Sequence, residues 1–381
     1  MTRFEPSEIW LTEPASDLWM ARRVLQRAAK ACPCPVRVLP SYSDAVIAAK
    51  GLSRERQKRV LIVADRPEQW LRPERFPGLR DRANTFVVTT GKGCSYDCSY
   101  CYLQVRHDIA CLTVYADVDD LARELAGAAD AGALTPGSLL NAAEDGEPFA
   151  TEWLTGIAEW LADQALRVQC VVELRTKSSL ASSLDVSVSG QVIQGFSISS
   201  LAAAAAFEPR ADPVLDRLTA AGECQEKGFM IALKLEPIIP LQGWRKSYRE
   251  LLECAREMLD PHQVDHFSIG TLRFRHSLRE RICENHGTGG SRLFEVGSEE
   301  VAPGRFSYPE ELRIAIYEFV TSQLSRCFPS VPAYLSLETH SLCSWLGMTS
   351  GRFGAPRETA AWGASWPRRV ASSLAPANME V

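Results

Sequence analysis

The chain has 381 residues, 46% of them apolar, and a formal net charge of −5. This apolar fraction excludes wholesale disorder, and the negative charge argues against a dedicated nucleic-acid binder, which needs a basic surface. No apolar stretch approaches the roughly 18 residues of a membrane span, and the first residues lack the apolar segment of a signal peptide. We therefore expect a cytoplasmic protein without a membrane partner.

The first 82 residues predict a small N-terminal α/β extension. Trp19–Ala31 has the apolar spacing of a helix, and Val36–Leu39 and Arg59–Ala64 are typical of strands. The proline-rich run Arg66–Arg82 predicts a linker between this extension and the next unit.

Strands and helices alternate from residue 83 to residue 275, which is typical of a parallel sheet with right-handed crossovers. The predicted strands are Phe86–Thr90, Ser138–Ala142, Gln169–Leu174, Gln191–Ile198, Met230–Leu235 and Asp265–Leu272. The predicted helices are Asp117–Ala131, Ala150–Leu166, Pro213–Lys227 and Trp244–Leu259. The fold class is therefore α/β, with a partial (β/α)6 barrel instead of a closed barrel of eight units.

Residues 276–351 predict a C-terminal α+β extension that contributes to the substrate site. It contains a helix over Pro309–Cys327 and a strand over Ala333–Leu337. Residues 352–381, which contain Gly, Pro, Ser and Ala, predict a flexible tail.

Three closely spaced cysteines follow the first predicted barrel strand. Cys94, Cys98 and Cys101 have the spacing C-x3-C-x2-C, and short loops of this kind gather thiolates around an iron–sulfur cluster. Three thiolates hold three corners of a [4Fe–4S] cube and leave the fourth iron open for chemistry. Parallel barrels also place their reacting groups at such strand ends. The alternative is a structural zinc site, but zinc usually takes two ligand pairs, and no second pair follows at ordinary spacing.

This motif, after the first strand of a partial barrel, resembles the radical S-adenosylmethionine (SAM) superfamily, and within it the chain is similar to the spore photoproduct lyase family. The resemblance runs from Gly91 to about Met348 and rests on the order and spacing of several segments. They are Gly93–Gln104, Glu173–Ser178, Gly195–Ser197, Phe207–Pro209, Glu236–Pro240, Ser268–Phe274, and Tyr334–Thr339 with Trp345.

The resemblance implies a radical enzyme that binds SAM at the open iron, cleaves it reductively to a 5′-deoxyadenosyl radical and abstracts a hydrogen atom from its substrate. It also implies an external electron donor of the flavodoxin or ferredoxin type. The three cysteines would ligate the iron. Lys177 would face the SAM carboxylate, and Ser197 would hydrogen-bond the same cofactor. For Lys177 the competing interpretation is a solvated surface lysine.

The SAM ammonium has two candidate carboxylates after the second barrel strand. Glu144 is the preferred one and Glu147 is the alternative, while an acidic cluster that merely begins a helix is a third interpretation. Tyr100 and Tyr102 match aromatic positions beside the cluster, and we predict catalytic roles for both.

The late cysteines supply one further candidate. Cys343 lies near Glu338 and Trp345 in the sequence, and we predict that it is catalytic, as a hydrogen donor. Alternatively, Cys283, Cys327 and Cys343 hold an auxiliary cluster together or are ordinary core thiols.

The chain departs from the family at the end of the second barrel strand. DNA-repairing members carry a cysteine there that returns a hydrogen atom to the product radical, whereas this chain has Asn141-Ala142-Ala143 and no thiol until Cys170. We therefore predict a small nucleoside-, nucleotide- or sugar-like substrate, in the biosynthesis of a specialised metabolite such as a nucleoside antibiotic. The alternatives are repair of pyrimidine dimers in DNA, which is the less favoured partner, and a non-catalytic iron–sulfur or zinc module.

Overall fold

Two β-sheets organise the chain: a five-stranded sheet near the N-terminus and a nine-stranded sheet that forms the barrel wall. The computed structural model describes residues 3–66, 68–74, 84–339, 342–343, 346 and 352–353. A third sheet, of three antiparallel strands, lies in the C-terminal part of the described chain.

The elements are numbered in chain order. The strands are β1 (Glu8–Thr12), β2 (Val36–Leu39), β3 (Val60–Ala64), β4 (Leu71–Pro73), β5 (Thr85–Val88), β6 (Gly91–Lys92), β7 (Leu112–Tyr115), β8 (Leu139–Asn141), β9 (Val171–Thr176), β10 (Val192–Ser197), β11 (Met230–Ile238), β12 (Val264–Thr271), β13 (Arg273–Phe274), β14 (Glu299–Ala302), β15 (Arg305–Ser307), β16 (Ala333–Leu335) and β17 (Arg352–Phe353). The helices are α1 (Trp19–Ala31), α2 (Tyr42–Lys50), α3 (Arg54–Gln57), α4 (Leu103–Arg106), α5 (Val118–Asp130), α6 (Pro148–Thr155), α7 (Ile157–Arg167), α8 (Leu201–Phe207), α9 (Val214–Glu226), α10 (Trp244–Met258), α11 (His276–Ser291) and α12 (Glu310–Cys327).

The N-terminal sheet has the strand order β2-β1-β3-β7-β6, and all its neighbours are parallel except β6 and β7. β1 and β3 are almost wholly buried, so their apolar runs fit a sheet that is covered on both faces. The strands β2 and β3 were predicted from the sequence, whereas β1 and β7 were not. β7 follows the three cysteines, so this sheet extends past residue 82.

The barrel sheet has the strand order β17-β16-β12-β11-β10-β9-β8-β5-β4. Its centre consists of the parallel strands β5, β8, β9, β10, β11 and β12, in the order in which the chain makes them. This order confirms the predicted partial barrel. β16 adds a further parallel strand beside β12, where the sequence predicted a strand. The antiparallel strands β4 and β17 form the two edges, and β4 lies within the predicted linker.

Helices α5, α9 and α10 lie where the alternation predicted them. The single helix predicted over Ala150–Leu166 is wrong, because the chain forms α6 and α7, which meet at Gly156. Gly156 has φ = +67°, a left-handed conformation that glycine adopts at little cost and that ends α6.

The C-terminal extension is α+β, as predicted. β13, β15 and β14 form the small antiparallel sheet, and α12 packs against α10 where Trp244 meets Phe319 edge to face, with ring centroids 5.3 Å apart. Of the predicted tail only the two residues of β17 are described, and residues 354–381 lie outside the described residues. No helix in the described part of the chain is long and apolar enough to span a membrane.

Candidate active site

The cysteine loop leaves the N-terminal sheet at β6 and is held by backbone contacts. Gly93 follows β6 with φ = +88°, and a Cβ atom there would lie 2.5 Å from the carbonyl oxygen of Cys111. The Gly93 N–H donates to the Asp145 carbonyl at 2.9 Å, and the Gly93 carbonyl accepts from the Glu147 N–H at 3.2 Å. Glycine alone fits the close approach to Cys111. The two hydrogen bonds fix the loop to the segment that follows β8.

The loop brings the three predicted iron ligands to one cavity. Cys94, Cys98 and Cys101 line a cavity of about 530 Å³, and all three are free thiols. Burial raises the pKa of Cys94 to about 12 and also raises the pKa of Cys98 and of Cys101. Without iron the thiols are therefore protonated at neutral pH, and binding of iron would release their protons.

This donor set fits an iron–sulfur cube. Among the residues that the structure describes, no three His, Cys, Asp or Glu side chains are grouped as ligands of a single metal ion. In a [4Fe–4S] cube each thiolate would bind a different iron, so the three sulfurs need not converge on one point. Cys94, Cys98 and Cys101 are thus the residues that would hold the cluster.

Two cations from the N-terminal unit hold the cysteine loop from outside. The Lys58 side chain, which precedes β3, is only 9% exposed, and its Nζ donates to the Cys94 carbonyl at 2.6 Å and lies 3.5 Å from Asp97. Arg54, in α3, forms an ion pair with the same carboxylate. Burial alone would raise the pKa of Asp97, but Lys58 and Arg54 lower it below its usual value. Neither cation could be predicted, because no sequence pattern places α3 beside the loop.

Lys177 lies beside the cysteine loop in a buried cluster of charges. It follows β9, and its Nζ is 3.5 Å from a carboxylate oxygen of Glu208 and 5.7 Å from the centre of the Tyr100 ring. Arg217, on α9, contacts the other carboxylate oxygen of Glu208 at 2.5 Å, and the Tyr100 hydroxyl donates to Glu208. The Lys177 side chain is 14% exposed, which does not fit a solvated surface lysine.

Opposing effects set the charge of Glu208. Burial alone would raise its pKa, but Lys177 and Arg217 lower it to about 2, so the carboxylate is ionised at neutral pH. Ser200 caps α8 by accepting a hydrogen bond from the Ala203 N–H, and Glu208 follows the end of that short helix. The sequence analysis included Glu208 in a matching segment but gave it no role.

Ser197 ends β10, next to the strand that leads to Lys177. β10 pairs in parallel with β9, with Phe196 opposite Thr176, so Ser197 and Lys177 are the next residues at two adjacent strand ends. The Ser197 carbonyl accepts a hydrogen bond from Arg217 at 2.9 Å. This bond connects the end of β10 to the charge cluster around Glu208.

The two candidate carboxylates after β8 have different surroundings. The Glu147 carboxylate accepts hydrogen bonds from the Thr176 hydroxyl at 2.5 Å and from the Lys177 N–H at 3.1 Å. Glu144 lines the barrel cavity, where its carboxylate lies 3.1 Å from Arg72. Both oxygens of Glu147 accept hydrogen bonds from the protein. Glu144 has ion-pair contacts only, with Arg72 and, at 3.9 Å, with Arg106, and its Oε2 atom is buried without a hydrogen bond in the described structure, which favours Glu144 as the ligand of an ammonium group.

The two tyrosines of the loop face different parts of the site. Tyr102 lines the barrel cavity, and its hydroxyl donates to the Glu144 carbonyl. Tyr100 is buried against Glu208 instead. Within the described residues, no cysteine lines this cavity.

The barrel interior encloses a cavity of about 220 Å³ with a charged wall. Nζ of Lys234, on β11, lies 2.6 Å from a carboxylate oxygen of Glu173 and 2.6 Å from Nε2 of His266. Nδ1 of His266 lies 2.7 Å from Asp265, and Arg175 donates to Glu173 at 2.9 Å. Burial and the charge of Lys234 lower the pKa of His266, so the ring is neutral at pH 7.

Acidic groups are in excess around this cavity. The charged side chains that line it are Glu74, Glu144, Glu236, Arg175 and Lys234. The Ser268 hydroxyl donates to the Glu236 carboxylate, and burial raises the pKa of Glu74. Of this wall only Glu144 was given a role from the sequence, because the other members lie on β9, β11 and β12 or just after β4 and show no local motif.

Cys343 is buried, and it is not among the described residues that line the barrel cavity. Burial raises the pKa of its thiol, and the nearby charge of Glu338 adds to that effect. The Glu338 carboxylate is in turn held by Arg313 at 2.5 Å and by Arg273 at 2.7 Å. Trp345, which the sequence analysis named beside Cys343, lies outside the described residues.

The parallel strand order, the C-x3-C-x2-C loop after the first barrel strand and the lysine at the end of β9 together define a radical SAM enzyme. The family model described as spore photoproduct lyase matches residues 58–332, and the chain belongs to this family. Its cofactors are accordingly a [4Fe–4S] cluster and SAM.

Solved structures of spore photoproduct lyase resemble this fold over 89% of the chain. Spore photoproduct lyase complexed with dinucleoside spore photoproduct has a TM-score of 0.78 and 19% sequence identity, and the match covers 89% of this chain and 100% of that chain. A variant with bound AdoMet and dinucleoside spore photoproduct has the same TM-score of 0.78, identity of 19% and coverage. At this identity the likeness concerns the fold. No curated protein sequence matches the chain.

Proposed function

We propose that this enzyme abstracts a hydrogen atom from a small nucleoside-, nucleotide- or sugar-like substrate, in the biosynthesis of a specialised metabolite such as a nucleoside antibiotic. The observation that carries the proposal is the barrel cavity of about 220 Å³ with its charged wall. When bound, the cluster and SAM supply the 5′-deoxyadenosyl radical. The residues of the chain bind these groups, orient the substrate and exclude water.

Three side chains are assigned to SAM. The Lys177 ammonium is the partner for the SAM carboxylate, because Glu208 and Tyr100 hold it beside the cysteine loop. Ser197 supplies a hydroxyl at the adjacent strand end. Glu144, which lines the barrel cavity, supplies a carboxylate for the SAM ammonium.

The cavity favours a small substrate without a phosphate. With Glu144 assigned to SAM, the acidic side chains Glu74 and Glu236 equal the cations Arg175 and Lys234 in number, and both cations already contact Glu173. A phosphate in this enclosed space would therefore find no unpaired cation among the described lining residues, and water would screen its charge weakly there. Within the proposed class, a nucleoside or a sugar is therefore favoured over a nucleotide, and a polyanionic DNA strand is disfavoured most.

Tyr102 is the residue that we assign to hydrogen return. Residues 142–143, at the end of β8, are alanines and have no thiol to offer. The hydroxyl-bearing ring of Tyr102 lines the cavity, whereas Tyr100 is engaged with Glu208 and supports Lys177. Cys343 remains a predicted donor, but its thiol lies beside Glu338 and away from the described cavity wall.

Repair of pyrimidine dimers in DNA is the second candidate function. It is favoured by membership of the spore photoproduct lyase family and by the dinucleoside spore photoproduct bound in a structure with the same fold. This function requires affinity for irradiated DNA that falls as the salt concentration rises.

Reconstitution tests the enzyme itself. The protein is loaded with iron and sulfide under anaerobic conditions, then given SAM and dithionite, and 5′-deoxyadenosine is measured. We expect 5′-deoxyadenosine to form with the wild-type protein and not with Cys98→Ala. We also expect a reduced flavodoxin or ferredoxin to work in place of dithionite as the electron donor. A protein with a demonstrable cluster that forms no 5′-deoxyadenosine would be a non-catalytic iron–sulfur module.

A substrate panel then separates the two functions. Nucleosides, their 5′-phosphates, simple sugars and ultraviolet-irradiated duplex DNA are each added, and the stimulation of 5′-deoxyadenosine formation is compared. We expect a nucleoside or sugar to stimulate more than its phosphate. Salt-sensitive binding of irradiated DNA, with dimer loss, would establish repair instead.

A further inference from the structure

We propose that Lys58 is a positioning residue for the cluster, and that its buried positive charge raises the reduction potential of the bound cluster. Lys58 belongs to the N-terminal unit, outside the barrel. The inference does not depend on which substrate the enzyme uses.

The contacts of Lys58 fix both the loop and the charge. Its Nζ donates to the Cys94 carbonyl at 2.6 Å, and its side chain is 9% exposed. Lys58 also lines the cavity that Cys94, Cys98 and Cys101 line. The ammonium therefore lies close to the sulfurs that would surround the cluster, in a place where water screens it weakly.

The charges around Lys58 leave its own positive charge largely uncompensated. Asp97 lies 3.5 Å away, but Arg54 pairs with the same carboxylate in a shorter contact. His286 faces this group from α11, and burial lowers its pKa, so it adds no charge at neutral pH. Together Lys58, Arg54 and Asp97 leave one net positive charge beside the loop.

A net positive charge near a cluster favours its reduced form. Reduction adds an electron to the cluster, and the potentials of iron–sulfur clusters respond to net charge, hydrogen bonding and solvent exposure around them. A buried cation stabilises the added negative charge and shifts the midpoint potential to a more positive value. Lys58 would thus make the cluster easier to reduce by its electron donor.

The midpoint potential is measured by a redox titration followed by electron paramagnetic resonance, on the reconstituted full-length protein without substrate. Lys58→Met is expected to shift the potential to a more negative value, and Lys58→Arg to keep it near that of the wild type. Asp97→Asn removes the opposing charge, so the expected shift is to a more positive value, and asparagine tolerates the φ of +57° at this position.

Lys50→Met is the matched control. Lys50 lines the same cavity, but its side chain is 54% exposed and pairs with Asp108 at 3.2 Å, so its loss should leave the potential unchanged. Iron per protein is measured for every variant. If Lys58→Met and Asp97→Asn lose iron while their remaining clusters keep the wild-type potential, Lys58 is only an anchor and the electrostatic role is refuted. Equal shifts in Lys50→Met and Lys58→Met would also refute it.

Discussion

The Glu208→Gln substitution is expected to destabilise the protein by about 3 kcal/mol at pH 7. The Glu208 side chain is 1% exposed and contacts Lys177, Arg217 and the Tyr100 hydroxyl. Its pKa falls from 4.5 to about 2, and at about 1.4 kcal/mol for each pH unit this amounts to about 3 kcal/mol. Glutamine keeps the shape but loses the charge, so two cations lose their common counter-ion.

The loss of stability in Glu208→Gln should become smaller as the pH falls. The folded-state pKa of Glu208 lies below its unfolded-state value, so the carboxylate stabilises the fold fully above about pH 4.5, and this contribution disappears as the pH falls through about 2. At pH 3.5 the difference between the wild type and Glu208→Gln should have shrunk to about 2 kcal/mol.

Equilibrium unfolding in urea, followed by circular dichroism at pH 7 and pH 3.5, measures both values. Glu226→Gln is the matched control, because Glu226 is an exposed glutamate on α9, and its substitution should change stability by less than about 0.5 kcal/mol at either pH. A Glu208→Gln variant within about 1 kcal/mol of the wild type at pH 7 would refute the reasoning. So would a loss of the same size at both pH values.

Three substitutions test the rest of the site. Lys177→Met should weaken SAM binding to the reconstituted protein about tenfold or more, by calorimetry, because a charge-assisted hydrogen bond is lost; unchanged affinity would contradict its assignment. Gly93→Ala should lower the iron content, because the new Cβ would lie 2.5 Å from the Cys111 carbonyl oxygen, whereas Gly127→Ala, which meets nothing within 4 Å, should not. Tyr102→Phe should keep 5′-deoxyadenosine formation but lower the yield of product per SAM cleaved, and an unchanged yield would exclude Tyr102 from hydrogen return.

The parts of the fold that could be predicted are those encoded locally. The parallel strands appear as apolar runs between helical segments, and the cysteine spacing is contained within eight residues of one loop, Cys94 to Cys101. Lys177 could be placed at a strand end for the same reason. The break at Gly156 was missed, because a single glycine inside an apolar helical pattern does not by itself show that the backbone becomes left-handed.

The charged partners could not be predicted, because they depend on tertiary packing. Lys58 meets Cys94 across 36 residues of sequence, and Lys234 meets His266 across 32. Glu208 was part of a segment that matches the family but received no role from the sequence, although the structure places it against Lys177. Burial determines the charge state of such groups, and burial follows only from the assembled sheets.

The position of β7 makes the cysteine loop a bridge between two sheets. The loop leaves the N-terminal sheet at β6 and returns to it at β7, while Gly93 is bonded to the segment after β8 in the barrel. β7 is aligned on β3, so removal of the first 64 residues would take away the strand that supports the return of the loop. The barrel and its cysteine loop therefore do not form a unit that can be moved to another protein without the N-terminal sheet. A gene fusion or an evolutionary truncation that discards the N-terminal extension would have to replace this support before the barrel could hold its iron.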